Sequence, residues 1–537
     1  MTTTRNPHFT GHSARGQGAL RSAGLVSLLI LCSRILGVVR EQVFAAVLGA
    51  GMHADAYQIG FRIPNLLRDL FAEGALSAAF VPSYARAARE GGRATAQRLA
   101  SRVLTLLGVV LGALVLAGLL GAHALVATLA PGFDAVPGKA ELTVLLTRIM
   151  LPFLPLVSFA AVAMGMLNAE ERYGPPAFAP AMFNVVAIAV GATLWLLGWP
   201  IEEVVVGWAG GTLLGGLAQF LVQVPALRAQ GFRFRPEWAP RDPGIRRLAA
   251  LMGPATAGLA AVQVNIFVNS IFASHEPGAV SWLSYAFRIL YLPIGLFGVA
   301  AGTVAATGLA KRAAQNDMEG LRDTLRLSLR MLAFLTVPAT AGLLVLGVPI
   351  VRLLFERGRF TPHDTERTAA ALAFYGAGLV AYAAVKVLAP AFYALGAPRI
   401  PLIASVLAVA TNLLLNLALY DRLGFRSVAL GTSVAAVVNA AALAVAFERR
   451  VGGLWAQGFG PGIGRMVLAA AGMAPVAWLS SRAIEGAMGL EGLPAQAATA
   501  LVPVAAGVVA YFGAALALGL PEARRLVSAV WRRAWPC

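Results

Sequence analysis

The sequence predicts an all-α integral membrane protein of about fourteen transmembrane helices, two six-helix lobes related by a repeat plus two C-terminal helices. Three observations predict it. Of 537 residues, 58% are hydrophobic and 13% are charged, roughly half the charged share of a typical soluble chain. The apolar residues are gathered in long runs, and mean hydropathy is +0.73. Residues 61–80 (FRIPNLLRDLFAEGALSAAF) align without gaps with residues 287–306 (FRILYLPIGLFGVAAGTVAA), matching Arg62 to Arg288 at an offset of 226 that also carries Pro175 to Pro401.

In chain order, apolar segments lie near 20–48, 58–86, 99–130, 142–167, 177–198, 203–227, 248–273, 280–310, 326–349, 367–395, 400–420, 427–447, 463–482 and 496–519. Each is close to the ~20 residues that cross a bilayer. The organisation expected is a disordered basic tail (1–19), an N-lobe (20–230), a linker (231–247), a C-lobe (248–450), two further spans (451–520) and a basic tail (521–537). The first apolar stretch runs from Leu20 past Arg34 to Leu48, too long for the core of a cleavable signal. In the linker, RAQGFRFRPEWAPRDPGIRR (228–247) sets arginines beside Pro236, Pro240 and Pro243. An amphipathic or extended segment lying on anionic headgroups is expected. In the connection 350–366 (IVRLLFERGRFTPHDTE), the first part reads as a short interfacial helix.

Net charge is +18. Its distribution argues against nucleic acid. The flanks on one side of the expected spans hold 28 arginines and lysines, and those on the other hold 7. That excess marks the first side as cytoplasmic and places both termini there. The two cysteines, Cys32 and Cys537, and six scattered histidines provide neither a disulfide framework nor ligand spacing for a metal. No Walker A loop, GxSxG, HExxH or paired CxxC occurs, and no aspartate-rich magnesium motif. No cofactor and no catalytic residue are expected, and active transport must draw on an ion gradient or the membrane potential.

The segment 33–82 carries Arg34, Arg40, Arg62 and Arg68 among apolar residues, with Glu41, Asp55, Asp69 and Glu73 as the acids within reach. A cation at mid-bilayer is costly, so such residues face protein or a water-filled cavity and mark function. Arg34 and Arg40 lie six residues apart, about 120° around a helix axis, and Arg62 and Arg68 repeat the spacing. Guanidinium stays charged when desolvated and grips phosphate oxygens in pairs. The plainer reading is internal salt bridging. Adjacent helical side chains diverge, so Arg40 and Glu41 are not expected to face each other, whereas Arg40 or Arg68 could meet Glu73 or Asp55. Pro64, Gly74 and Pro82 interrupt the second segment, as a hinge or as a static kink. Arg288 stands beside Phe287 and Tyr291, and Lys386 is the other lone cation of the second half. Burial would lower the lysine's pKa and keep it neutral. Asn412 and Asn416 lie one turn apart, and Thr432, Asn265 and Asn269 are placed to meet them. Interhelical hydrogen bonding is the bland account of this cluster; a monovalent cation site at Asn412, Asn416 and Thr432 is the sharper one.

The pieces SRILGVVRE, GAGMHADAY, FRIPNLLRDLFAEGALSAAFVP and VKVLAPAFYALGAPRIP (385–401) resemble the MurJ (MviN) family of lipid II flippases, within the multidrug/oligosaccharidyl-lipid/polysaccharide exporter superfamily. The resemblance implies fourteen helices in two lobes in the bacterial inner membrane. It implies transfer of undecaprenyl-diphosphate-linked peptidoglycan precursor between leaflets, with Arg34, Arg40, Arg68 and Arg288 as the cavity cations. It assigns Asp55 and Glu73 to family acids near the outer gate and on the second span, and the last two spans to a groove for the lipid tail. Glu41 replaces the usual aspartate, Phe287 and Tyr291 stand where many relatives carry acids, and amides stand where some relatives have carboxylates. The resulting expectation is a lipid II flippase with Arg34, Arg40, Arg62, Arg68 and Arg288 on the substrate and Glu41, Asp55 and Glu73 in gating ion pairs. Lipid II and membrane lipids are the expected partners, the chain is expected to be a monomer, and contact with peptidoglycan-synthesis proteins is expected. The alternative is a related exporter of another polyprenyl-linked glycan or of a drug. A drug exporter should show unpaired carboxylates in its cavity, where arginine predominates here. A non-transporting scaffold would tolerate Arg34→Ala and Arg68→Ala. A membrane transferase is disfavoured by the missing catalytic acids and metal motif.

Overall fold

The computed structural model describes residues 11–68, 75–455 and 458–534, except for the side chains of 11–23, 75, 77–78, 253–262 and 529–534. The expected acids Asp69 and Glu73 fall outside the described residues. Among the described residues there is no strand. The helices are α1 (Gly11–Leu48), α2 (Met52–Arg68), α3 (Ala75–Leu120), α4 (Ala122–Leu129), α5 (Lys139–Met150), α6 (Phe153–Ala169), α7 (Gly174–Leu196), α8 (Ile201–Leu221), α9 (Val224–Ala229), α10 (Pro243–Ser274), α11 (Ala279–Pro293), α12 (Ala300–Ala314), α13 (Met318–Val345), α14 (Gly347–Phe355), α15 (Pro362–Gly376), α16 (Leu379–Ala394), α17 (Arg399–Leu423), α18 (Phe425–Arg450), α19 (Phe459–Met488), α20 (Leu493–Ala517) and α21 (Pro521–Ala534). Residues 11–19, expected as disordered tail, belong to α1.

By length and composition, ten stretches of the described helices can cross a membrane, or eleven if α15 and α16, bent by 44°, form one span. The protein is therefore a multi-pass membrane protein. Only helices and closed barrels satisfy every backbone group in lipid, which is why the apolar runs become helices despite their many valines and isoleucines.

Breaks fall where the backbone demands them. The helix α3 is interrupted at Gly92 (φ 75°, ψ 174°), a conformation that disfavours side chains. A π-helical turn at Ile294–Val299, just after Pro293, joins α11 to α12. Thr361 and Asp364 form a reciprocal capping box at the start of α15, with Pro362 at the first helical position.

The chain divides into two compact units. One holds the described residues up to Leu48, Met52–Thr128 and Phe133–Ala260; the other holds Gly49–Gly51, Leu129–Gly132 and the described residues from Ala261 on. In the first, α7 packs on α8 and α1, α3 on α6, and α2 on α5. In the second, α17 packs on α18, α11 on α15, α12 and α13 on α16, and α19 on α20 and α13. The repeat extends to helix boundaries. Helices α2, α5, α7 and α8 begin at 52, 139, 174 and 201, and α11, α15, α17 and α18 begin at 279, 362, 399 and 425. Adding the offset of 226 to each start in the first unit lands within three residues of its counterpart.

Candidate functional site

The charged residues expected to act on substrate lie on α1 and α2 in the first unit and on α11 in the second. Arg34 is exposed on α1, and among the described residues no hydrogen bond or ion pair engages it. Arg40 is partly buried and its guanidinium lies 2.5 Å from a Glu41 carboxylate oxygen. It also sits over the Phe183 ring of α7, 5.1 Å from the centroid. This corrects the expectation that Arg40 and Glu41 diverge. Their Cβ atoms do point apart around the helix, but the arginine stem is long enough to curl back. Glu41 is 9% exposed, and a carboxylate so placed needs a charged partner. Arg62 and Arg68 are partly buried along α2, and both engage neighbours.

Asp55, in the first turn of α2, is fully buried against Lys139, whose Nζ lies 2.8 Å from Oδ2. Lys139 also stands 4.0 Å from the centroid of the Phe133 ring, which provides a cation–π contact in a dry site. The lysine opens α5 just after Gly138, a left-handed residue (φ 77°). Sequence reasoning did not single out Lys139. Neither its burial nor its partner has a local sequence signal, because the two residues are 84 apart.

Arg288 is partly buried on α11 and engages neighbours. Its surroundings are aromatic: Phe287 and Tyr291, both exposed, with Phe287 edge-on to Tyr375 at 5.5 Å. Lys386 is exposed on α16, so the burial expected to neutralise it is absent.

The amide cluster is a closed staple between α10, α17 and α18. Asn412 Nδ2 donates to Asn265 Oδ1 and Asn269 Oδ1, both at 2.7 Å. Asn416 Nδ2 donates to the Asn412 carbonyl and side-chain oxygen, Asn269 Nδ2 donates to Thr432 Oγ1, and Ser427 donates to Asn416 Oδ1. The oxygens that would have to coordinate a cation already accept hydrogen bonds. Among the described residues no group of three or more His, Cys, Asp or Glu is placed to hold a metal.

With this geometry in view, comparison with known proteins is decisive. Residues 44–495 match the family described as lipid II flippase MurJ. The chain belongs to the MurJ family. A probable lipid II flippase MurJ of Rhizobium meliloti is 38% identical over 91% of this chain and 92% of its own length. The Vibrio cholerae counterpart is 37% identical over 79% and 82%. A solved structure described as lipid II flippase MurJ in an inward closed conformation superposes with a TM-score of 0.75 at 25% identity, covering 94% of this chain and 99% of that one. An inward-facing multidrug-resistance transporter of the MATE family, 18% identical, superposes at 0.67 over 79% of this chain and 96% of its own, and so shares the fold. MurJ membership makes this a member of a flippase family and fits its many apolar helices.

Proposed function

We propose that this protein moves lipid II, the undecaprenyl-diphosphate-linked disaccharide-pentapeptide, from the inner to the outer leaflet of the bacterial inner membrane by alternating access. Fourteen spans, with both termini cytoplasmic, complete the reading. The observation that carries it is the gathering of cations on apolar helices. Between Ser33 and Arg68 stand four arginines against Glu41 and Asp55, and Asp55 is held by a fifth cation, Lys139. With Asp69 and Glu73 counted as well, the five cations exceed the four acids by one, a balance that suits an anionic ligand.

Arg34, Arg40, Arg68 and Arg288, with Arg62, hold the diphosphate. Arg40 exchanges Glu41 for phosphate oxygens, so binding and release of substrate are coupled to one short ion pair. Asp55, through Lys139, and Glu73 serve the gate while the prenyl tail stays in lipid. The membrane potential, worth ~2.3 kcal/mol per charge per 100 mV, is a sufficient drive. The test is depletion of the protein in its host, followed by an assay of lipid II accessibility on the outer leaflet. Loss of accessibility is expected. Unchanged accessibility in a host without a second flippase rejects the reading.

A further inference from the structure

The segment 230–242, between α9 and α10, is extended and lies along α3. Its acids are paired to α3. Arg102 of α3 donates to Glu237 at 2.6 Å and also to Asp242. Asp242 in addition caps α10, accepting from the backbone amides of Gly244 and Ile245. Hydrogen bonds fix the backbone: Gln97 donates to the Gln230 carbonyl, and the Glu237 amide donates to Thr105 Oγ1. Phe232, 8% exposed, anchors the segment in a core with Leu99, Val103 and Ile245.

What remains outward is basic and aromatic. Phe234 is 51% and Trp238 59% exposed, and Arg98, Arg233, Arg235, Arg241, Arg246 and Arg247 are exposed around them. A single arginine thus holds both of the segment's carboxylates, and the three groups together carry one net negative charge against the six outward arginines. The level is set by α3: the contacts fall at 97–105, where the uninterrupted apolar run LTLLGVVLGALVLAGLL (104–120) begins. Side chains there meet the polar edge of the bilayer, where tryptophan and arginine are favoured.

We propose that this segment is a built site for anionic phospholipid headgroups, in which Arg233, Arg235 and Arg241 take the phosphates while Phe234 and Trp238 enter the interface. Arg102 is its positioning residue, acting through Glu237 and Asp242. Charge complementarity selects the occupant: six exposed arginines, against a net charge of −1 from Arg102 and its two acids, favour an anionic lipid surface over a neutral one.

The test uses the full chain with Cys32→Ser, Cys537→Ser and Trp238→Cys, carrying an environment-sensitive fluorophore at 238, in nanodiscs of phosphatidylcholine alone or with phosphatidylglycerol. Emission is expected to move to shorter wavelength only when phosphatidylglycerol is present and to revert in high salt. Adding Arg233→Gln, Arg235→Gln and Arg241→Gln is expected to weaken the segment's hold on the anionic surface by roughly a hundredfold, from about 1 kcal/mol per arginine, and so to remove the shift. Arg102→Gln, with the outward arginines intact, is expected to abolish most of the shift through loss of position. An equal shift in neutral discs overturns the proposal, as does a water-like spectrum in both discs or a shift that survives the triple substitution. Because fluorophore position is read without transport, failure here is distinct from failure of the flippase reading.

Discussion

The same helix pair is fastened differently in the two units. In the first, α2 meets α5 through Asp55 and Lys139, an ion pair whose side chains are 0% and 1% exposed. The repeat offset carries these positions to Ser281 and Thr365 of α11 and α15, both buried and neither ionisable. There Trp282 Nε1 donates to Asp364 at 2.9 Å instead. Asp364 also accepts from the Thr361 amide and hydroxyl, and Arg367 stacks over the Trp282 ring. Helices related by this offset thus keep their boundaries while a buried charge pair gives way to a hydrogen-bonded aromatic. A buried ion pair adds little net stability but is costly to break from one side. The first unit is therefore fastened by a contact intolerant of change at either member, the second by one spread over several groups.

The sharpest way to break this contrast is at the buried pair. Lys139→Met should cost about 3–5 kcal/mol, because it strands a buried carboxylate, and Asp55→Asn should cost nearly as much. The double variant should regain most of the lost thermal stability. If Asp55 also serves the gate, transport will not return with it. Equal melting temperatures for all four proteins would refute the contrast. An intermediate case lies at Arg330 on α13, 2.7 Å from Glu522 of α21, where the arginine is 24% and the glutamate 2% exposed. Arg330→Gln should cost about 1–3 kcal/mol and free α21 for proteolysis, because solvent screens one member only. In the second unit, Trp282→Phe should cost about 1 kcal/mol, since Asp364 keeps its Thr361 donors; a loss as large as that from Lys139→Met would erase the distinction.

The smallest effect belongs to exposed carboxylates. The hydrogen bond from Arg102 holds the Glu237 carboxyl below the ordinary glutamate range, and the Gly320 amide, then Arg312, does the same for Asp317. A depressed folded pKa stabilises above the unfolded value and is lost as pH falls through the folded one. Thermal stability should therefore show no change from these groups between pH 7 and about pH 5, with loss only on stronger acidification. A marked drop in that window would show that these pairs are not charged as described.

Much of the fold was legible because lipid leaves few choices: long apolar runs must be helices, and each stretch able to cross a membrane falls on a run visible in the sequence. The arginines of α1 and α2 were legible for the same reason, since charge among apolar residues stands out. Contacts between distant segments were not. Nothing near Lys139 marks it as buried, and nothing in 228–247 shows that Glu237 and Asp242 turn toward Arg102. The error at Arg40 and Glu41 has a different origin. Angular spacing describes Cβ directions, and a flexible arginine is not bound by them. Residue spacing brought Asn412 and Asn416 together and set Asn265, Asn269 and Thr432 against them, but which amide donates to which was not legible.

The central claim is that guanidinium groups hold the diphosphate of the transported lipid. The most direct measurement reconstitutes the purified protein in vesicles containing lipid II and follows its exposure to a membrane-impermeant reagent, comparing the natural chain with Arg34→Ala and Arg288→Ala. Each substitution should slow exposure by about tenfold or more, the loss of one charge-assisted contact. Exposure at the natural rate in both variants, with the proteins folded, would contradict the account.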